Sequence, residues 1–389
     1  MTNCRAYRVF ILAGEPSGDA LAARLMHSLK TLAPNVSFHG VGGPLMAAEG
    51  LVSLFPMEEL SVMGLVEVLP RLPRLLRRID ETAHAAKELR PDIFITVDAP
   101  DFSFRVTAKL KGAPFPKLHY VAPSVWAWRP GRAKKIAALY DHLLTLLPFE
   151  PPYFEAEGLS ASFVGHSVIE SGAGKGDGAA FRKRYKIGEA EQLLMLLPGS
   201  RRGEGMRHLP VFRECVRRLQ PVIGEFRLLV PVIGRAGEIV REEMAGWGVP
   251  HHIIEGEADK YDAMAAANVA LAASGTVALE LALARLPSVI AYRMNPLTVM
   301  IARRFVRTQY ANLVNILLQR EAVPECVIEN CTAEKILPVL VDLFQRAEIR
   351  DAQIAACTEA MLLLGEGGPP PGRRAAEIVM KLIKEGVKR

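Results

Sequence analysis

The chain has 389 residues, 50% of them hydrophobic and 23% charged, with a formal net charge of +6. That length exceeds one ordinary core and suits two domains of roughly 150 to 200 residues, and the composition excludes a disordered chain. The positive balance favours anionic partners, whether phosphorylated ligands, acidic lipid surfaces or nucleic acid.

At the N-terminus the apolar run is too short for a signal peptide and leads straight into a glycine loop, so no export is expected. Residues 8–14, "RVFILAG", read as a strand and residues 19–32, "DALAARLMHSLKTL", as a helix. The loop between them matches neither the GxGxxG fingerprint nor the P-loop. Glu15 and Ser17 stand at the carboxyl end of this first strand, where open α/β sheets bind ligands. The alternative is a tight turn in which Ser17 or Asp19 caps the helix.

After a strand and turn at 37–43 comes "VMGLVEVLPRLPRLLRRID", from Val62 to Asp80, both apolar and basic. Pro70 and Pro73 fit the first turn of a helix, where N–H groups are unpaired in any case, so a helix is predicted from about Pro70. Leu72, Leu75, Leu76 and Ile79 share one face, while Arg71, Arg74, Arg77 and Arg78 spread over the other. Such a helix either packs on the core with solvated arginines or lies in an anionic lipid interface.

Residues 92–100, "DIFITVDAP", read as a buried strand ending at Asp98, and residues 102–112 as a helix. A carboxylate at that strand end suits a general base acting on a hydroxyl. Asp101 is the natural helix cap. Strands follow at 117–123 and 142–149. Trp126 and Trp128 lie among basic residues without any RNA- or DNA-binding module signature, so no nucleic acid is expected.

The glycine- and charge-rich residues 171–188 are the best linker candidate. The same strand-helix grammar then restarts at 192–200, 226–234, 269–274 and 287–293, which predicts a second parallel sheet covered on both faces. In "LLPGSRRGE", Arg201 suits a phosphate clamp, while Arg202 is left open. In "VALAASGTVALELAL" a strand ends and a helix begins at Ser274, Gly275 and Thr276, whose free N–H groups suit a diphosphate, and Glu280 one turn further in can accept from ribose hydroxyls. Asn268, Glu280 and the Ser-Gly-Thr break also rule this window out as a membrane span.

The expected domains are 1–172 and 187–350, joined by a linker at 173–186, with a helical segment at 351–389 that needs the other domain or a second subunit to pack on. The five cysteines, Cys4, Cys215, Cys326, Cys331 and Cys357, are scattered and read as reduced thiols. Neither they nor the histidines show metal-ligand spacing, and no metal or cofactor is expected.

Taken in order, "GEPSGD", "GVGGPLMAAEG", "VDAPDF", "VAPSVWAW", "FVGHS", "LLPGSRRGE" and "SGTVALE" followed by "YRMNP" make the chain resemble the lipid-A-disaccharide synthase family over nearly its full length. The resemblance implies an α/β GT-B architecture, two Rossmann-like parallel-sheet domains facing a cleft. It implies an inverting transfer from UDP-2,3-diacylglucosamine to 2,3-diacylglucosamine 1-phosphate, releasing UDP and forming a β(1→6) disaccharide. It further implies a homodimer with exchanged C-terminal segments, working from the cytoplasm on the anionic inner face of the bacterial inner membrane.

In that frame Asp98 is the base, and Arg201 with Ser274, Gly275 and Thr276 steadies the departing UDP without metal. Glu280 holds the ribose, and Glu15 and Ser17 orient the acceptor. Asn315 helps place the diphosphate or sugar, with Asn312 as competitor, because Leu313-Val314-Asn315 stands where the family often reads Leu-Pro-Asn. Acylated substrates favour the lipid-interface reading of the basic helix, with Val66, Val68, Leu69, Leu72, Leu75 and Leu76 facing the membrane. The rival readings are another GT-B-like enzyme, such as a UDP-N-acetylglucosamine epimerase, and a non-enzymatic nucleotide- or lipid-binding module.

Overall fold

Alternate residues of the run Tyr7–Ala13 enter two different cores. Val9, Ile11 and Ala13 belong to one hydrophobic cluster, and Phe10 and Leu12 to another. A strand buried on both faces belongs to a parallel sheet sandwiched between helix layers. The computed structural model describes residues 6–60, 65–199, 202–232, 236–294, 299 and 308–386, and it divides into two units, 1–167 with 367–389 and 168–366.

The first unit holds β1 (Tyr7–Ala13), β2 (Val36–Val41), β3 (Val52–Ser53), β4 (Ile93–Val97), β5 (Lys117–Tyr120), β6 (His142–Thr145) and β7 (Ser160–Phe163). Their order is β3-β2-β1-β4-β5-β6-β7, all pairs parallel. One face carries the helix Pro16–Leu32 and the C-terminal helix Pro371–Gly386, whose Leu21, Leu25, Leu29, Val379 and Ile383 share one core. The other face carries Ile79, Ala83 and Ala86 of the helix Leu65–Leu89 and Val106 of the helix Pro100–Lys109.

The second unit holds β8 (Gln192–Leu197), β9 (Phe226–Val232), β10 (His251–Glu255), β11 (Val269–Ala272), β12 (Ser288–Tyr292) and β13 (Glu325–Val327). Their order is β10-β9-β8-β11-β12-β13, again parallel throughout. In each sheet the strand order reverses once, between β1 and β4 and between β8 and β11. The loops leaving those neighbouring strands open the crevice in which such sheets bind ligands.

Three boundaries differ from expectation. The helix Leu65–Leu89 begins before Pro70, so both prolines lie inside it. Its anchor is the buried stripe at Ile79, Ala83 and Ala86, downstream of either proline.

The glycine-rich stretch is not a flexible linker. Asp177 caps a helix Gly178–Arg184 by accepting the Ala180 N–H at 2.8 Å, and Phe181 within it is fully buried. A Cβ on Gly176 would lie 2.1 Å from the Tyr261 carbonyl oxygen, so glycine serves close approach to the helix Glu257–Ala266 rather than flexibility.

The segment 351–389 is divided rather than single. The helix Ala347–Leu363 stays with the second unit, tied by Arg285 to Thr358 and Glu366. The helix Pro371–Gly386 packs on the first unit of its own chain, with the Arg374 guanidinium donating to the Phe163 carbonyl at 3.0 Å.

Among the described residues no helix is long and apolar enough to cross a membrane.

Candidate functional site

β1 and β4 run side by side with Ala13 opposite Val97, so the loop beginning at Gly14 lies next to Asp98. A Cβ on Gly14 would meet the Ala99 Cβ at 2.8 Å, and the close approach of the two loops therefore requires glycine. Asp98 and Ala99 both take the left-handed backbone region, with φ of 53° and 45°. Alanine rarely adopts it, so the surroundings hold the turn against its own preference.

The holding groups lie behind Asp98. Its N–H donates to the Tyr120 carbonyl at 3.0 Å, and its carbonyl accepts the Ser103 hydroxyl at 2.9 Å. Its side chain, half-buried at the strand end, accepts the Ser17 hydroxyl at 3.2 Å on Oδ2. Glu15 is the residue before the first turn of the helix Pro16–Leu32, and its side chain does not cap that helix.

Asp19, a possible cap from sequence, is instead buried and accepts the N–H groups of Gly43, Leu45 and Met46 at 2.9 to 3.0 Å. It caps the neighbouring short helix Pro44–Ala48. Asp101 is 95% exposed and faces Arg132. Asp98, Ser17 and Glu15 are thus brought together at one switch point, while Asp19 and Asp101 are not part of it.

Sequence reasoning missed a buried polar chain under Asp98. Thr107 Oγ1 lies 2.8 Å from the Ser103 carbonyl and must donate to it, so the Tyr140 hydroxyl, 2.9 Å away, donates to Thr107. Thr96 then donates to Tyr140 at 2.9 Å, and His119 Nδ1–H to Thr96 at 2.7 Å. Burial pushes the His119 imidazolium pKa down to about 3, which keeps the ring neutral. These residues sit on β4, β5 and their flanks, far apart in sequence, so no local pattern announces them.

Glu150 is a second residue that sequence did not single out. It is buried beyond β6, where its carboxylate accepts the Trp126 indole N–H and the Leu147 N–H, each at 3.1 Å. It thereby ties the loops after β5 and β6. Burial pushes its pKa from 4.5 up to about 7, against the hydrogen bonds from Trp126 and from the Leu147 and Leu146 backbone.

The folded state therefore holds a proton on Glu150 across that window which the unfolded state has released. The stabilisation is complete below 4.5 and lost as pH rises through about 7. The expected result is that the unfolding free energy of the parent, relative to Glu150→Gln, falls by about 3 kcal/mol over that range. Urea unfolding at a series of pH values measures it, and a pH-independent difference refutes it.

In the second unit the loops after β8 and β11 line a cavity of ≈ 280 Å³ with Gly199, Glu204, Lys260, Ser274, Gly275, Thr276 and Glu280 on its wall. Backbone N–H groups of Ser274, Gly275 and Thr276 have no backbone acceptor among the described residues. Glu280 is not free: Lys260 Nζ lies 3.0 Å from each carboxylate oxygen, and the Tyr261 hydroxyl 3.2 Å from Oε1. A second cavity of ≈ 590 Å³, lined by Arg241, Glu255, Glu257 and Lys260, shares Pro231 and Lys260 with the first.

His208 fixes the mouth of β8. Its Nδ1–H donates to the Pro198 carbonyl at 2.8 Å and its Nε2 accepts the Arg293 N–H at 2.9 Å, a pattern only the neutral ring can make.

Asn315 does not face a ligand. Its carbonyl accepts the Ala322 and Val323 N–H groups at 2.8 Å, and its amide donates to the Val323 carbonyl and Glu325 at 2.7 Å. All four of its hydrogen-bonding positions are taken in pinning the chain before β13, which corrects the expected role. Asn312 is buried as the cap of the helix Leu313–Leu318, its carbonyl accepting the Val314 N–H at 3.0 Å. Arg201 lies outside the described residues.

On the helix Leu65–Leu89, Leu72 and Leu76 are 39% and 45% exposed one turn apart, while Leu75 is half-buried. The side chains of Val66, Val68 and Leu69 lie outside the described residues. The arginines do not form one free face. Arg78 binds Glu59 and Glu81 and covers the Phe55 ring at 4.4 Å, and Arg74 also reaches Glu59. Arg77 remains exposed.

The family model described as lipid-A-disaccharide synthetase matches residues 9–366. A lipid-A-disaccharide synthase of Rhodospirillum centenum is 52% identical over 97% of this chain and 95% of its own. That of Paramagnetospirillum magneticum is 46% identical over 97% and 98%. Among solved structures, a UDP-N-acetylglucosamine 2-epimerase from Neisseria meningitidis bound to UDP-GlcNAc aligns with a TM-score of 0.64 at 12% identity, covering 97% of this chain and 100% of its own. MurG of Acinetobacter baumannii aligns with a TM-score of 0.61 at 13% identity, covering 98% and 100%. At such identities the structural likeness establishes the fold, two Rossmann-like units of the GT-B kind.

Proposed function

Because this chain belongs to the lipid-A-disaccharide synthetase family, we infer that its two switch-point sites divide a single glycosyl transfer between them. The protein is a glycosyltransferase that forms the lipid A disaccharide, and the observation that carries this is the family match across residues 9–366. The donor is a UDP-sugar, UDP-2,3-diacylglucosamine, and the acceptor is 2,3-diacylglucosamine 1-phosphate. An α-linked donor yields a β(1→6) product, so the acceptor 6-hydroxyl displaces UDP in line at the anomeric carbon.

Asp98 takes the proton of that hydroxyl as the bond forms, which is the work of a general base. Ser17 donates to the same carboxylate and holds it in one orientation, and Glu15, at the start of the same helix, orients the acceptor. In the second unit the N–H groups of 274–276 face the departing diphosphate, with Arg201 supplying full positive charge. Glu280 receives ribose hydroxyls.

Mass spectrometry of the products after supplying both acylated substrates tests the reading. A disaccharide monophosphate with stoichiometric UDP is expected. Well-folded protein that makes neither, or that turns over UDP-N-acetylglucosamine alone, overturns it in favour of an epimerase-like enzyme.

The substrates are lipids, and the protein works as a peripheral homodimer on the anionic inner face of the bacterial inner membrane. The helix Leu65–Leu89 is the entry surface, its exposed Leu72 and Leu76 entering the acyl boundary beside Arg77. Serine at both leucines is expected to lower binding to vesicles containing anionic lipid about tenfold while leaving the melting temperature within a few degrees. A flotation assay with calorimetry decides it. Unchanged binding removes the lipid role, and unfolding restores these residues to the core.

A further inference from the structure

The assignment of Glu280 to ribose leaves its closest partner unexplained. Lys260 spans both carboxylate oxygens at 3.0 Å, and the two side chains are only 13% and 18% exposed. Holding an ammonium and a carboxylate this far from water is costly, and a neutral pair would pack more cheaply. Both groups nonetheless line the cavity after β8 and β11, and Lys260 alone of the two also lines the larger neighbouring cavity.

An ammonium has three donors and a carboxylate about four acceptor positions. Lys260 spends two donors on Glu280, and the Tyr261 hydroxyl lies against one further position on Oε1 while also donating to Glu257 at 2.8 Å. Among the described residues, one N–H of Lys260 and one lone pair on Oε2 take no hydrogen bond, and both groups line the same cavity. An acceptor beside a donor fits a hydroxyl group, which gives one hydrogen bond and takes another. It does not fit a hydrogen atom in the same place.

We propose that Lys260 reads the nucleotide together with Glu280, the pair engaging one ribose hydroxyl so that the site selects ribonucleoside over deoxyribonucleoside diphosphates. This rests on the placement of the nucleotide sugar at Glu280. Loss of the hydroxyl leaves a half-buried charge pair with two unmet bonds, the situation in which polar sites discriminate most strongly.

The test is calorimetric titration of the full chain with UDP, 2′-deoxy-UDP and 3′-deoxy-UDP. The parent is expected to bind UDP at least about tenfold more tightly than one of the deoxy analogues. In Lys260→Met and in Lys260→Gln that ratio collapses to within about threefold, and Lys260→Arg, which keeps a charged donor, retains more of it. Measuring both neutral variants keeps the result readable if one of them fails to fold.

A parent without preference, or a neutral Lys260 variant that retains the full ratio, overturns the proposal. Glu280→Gln separates the two levels of argument. If it binds UDP with the parental affinity and ratio, the placement of ribose at Glu280 fails. If Glu280→Gln loses the ratio while the Lys260 variants keep it, the placement stands and the role of Lys260 falls.

Discussion

Asp98→Asn is expected to lower the turnover number about a thousandfold while leaving the affinity for UDP within about twofold of the parent. Asparagine is the right probe because the backbone at Asp98 has φ of 53°, a region that Asn and Asp adopt more readily than alanine. It also keeps an oxygen for the Ser17 hydroxyl and removes only the basicity. UDP binding is spared because the cavity of 274–280 lies in the other unit. Single-turnover kinetics with both substrates measures the first quantity and calorimetry the second. A folded Asp98→Asn variant turning over within tenfold of the parent removes Asp98 as the base. Loss of UDP binding along with turnover shows instead that the two units respond as one.

Arg201→Ala is expected to cost a further large factor, about 10² to 10³ in the turnover number, by a different route. The described wall of the cavity after β8 and β11 carries two carboxylates, Glu204 and Glu280, against one ammonium, Lys260, which is already committed to Glu280. Backbone N–H groups alone leave a diphosphate in a wall of net negative charge. On the proposed reading the further cation is Arg201, the guanidinium that follows the glycine turn at Gly199 in the sequence. The variant should bind uridine as the parent does and UDP at least tenfold more weakly, since only the latter carries the charge. Arg201→Lys should recover part of the loss, because it restores charge without the planar fork. Parental turnover in the alanine variant refutes the clamp.

Much of this architecture is legible in the order of the amino acids alone. Both sheets announce themselves through apolar runs of strand length that alternate with helix-period stretches, because a strand buried on two faces admits little but apolar side chains. Both switch-point loops are legible for a related reason. A turn between strand and helix has few chemistries, and glycines beside Ser17 and Thr276 and a carboxylate ending a buried strand at Asp98 are local signals. The resemblance carried by the ordered motifs reached the family itself.

What the sequence could not reveal is which hydrogen-bonding side chain meets which. Asn315 had the right type and near context for a ligand, yet Ala322, Val323 and Glu325 consume its four positions. The stretch 171–188 has the composition of a linker, and only the approach of the Tyr261 and Ala265 carbonyls to Gly176 and Gly178 shows that these two glycines serve packing. Lys260, 20 residues before Glu280, lies on a different helix, as Tyr140 lies 44 residues from Thr96. The sequence by itself determined the elements, their order and the kinds of turn between them, because backbone geometry and burial act on neighbouring residues. Only the tertiary structure decided the partners of Asp19, Asn315, Glu150 and Glu280, because a buried polar group is satisfied by whatever the packed sheet brings within about 3 Å, and that distance bears no relation to separation along the chain.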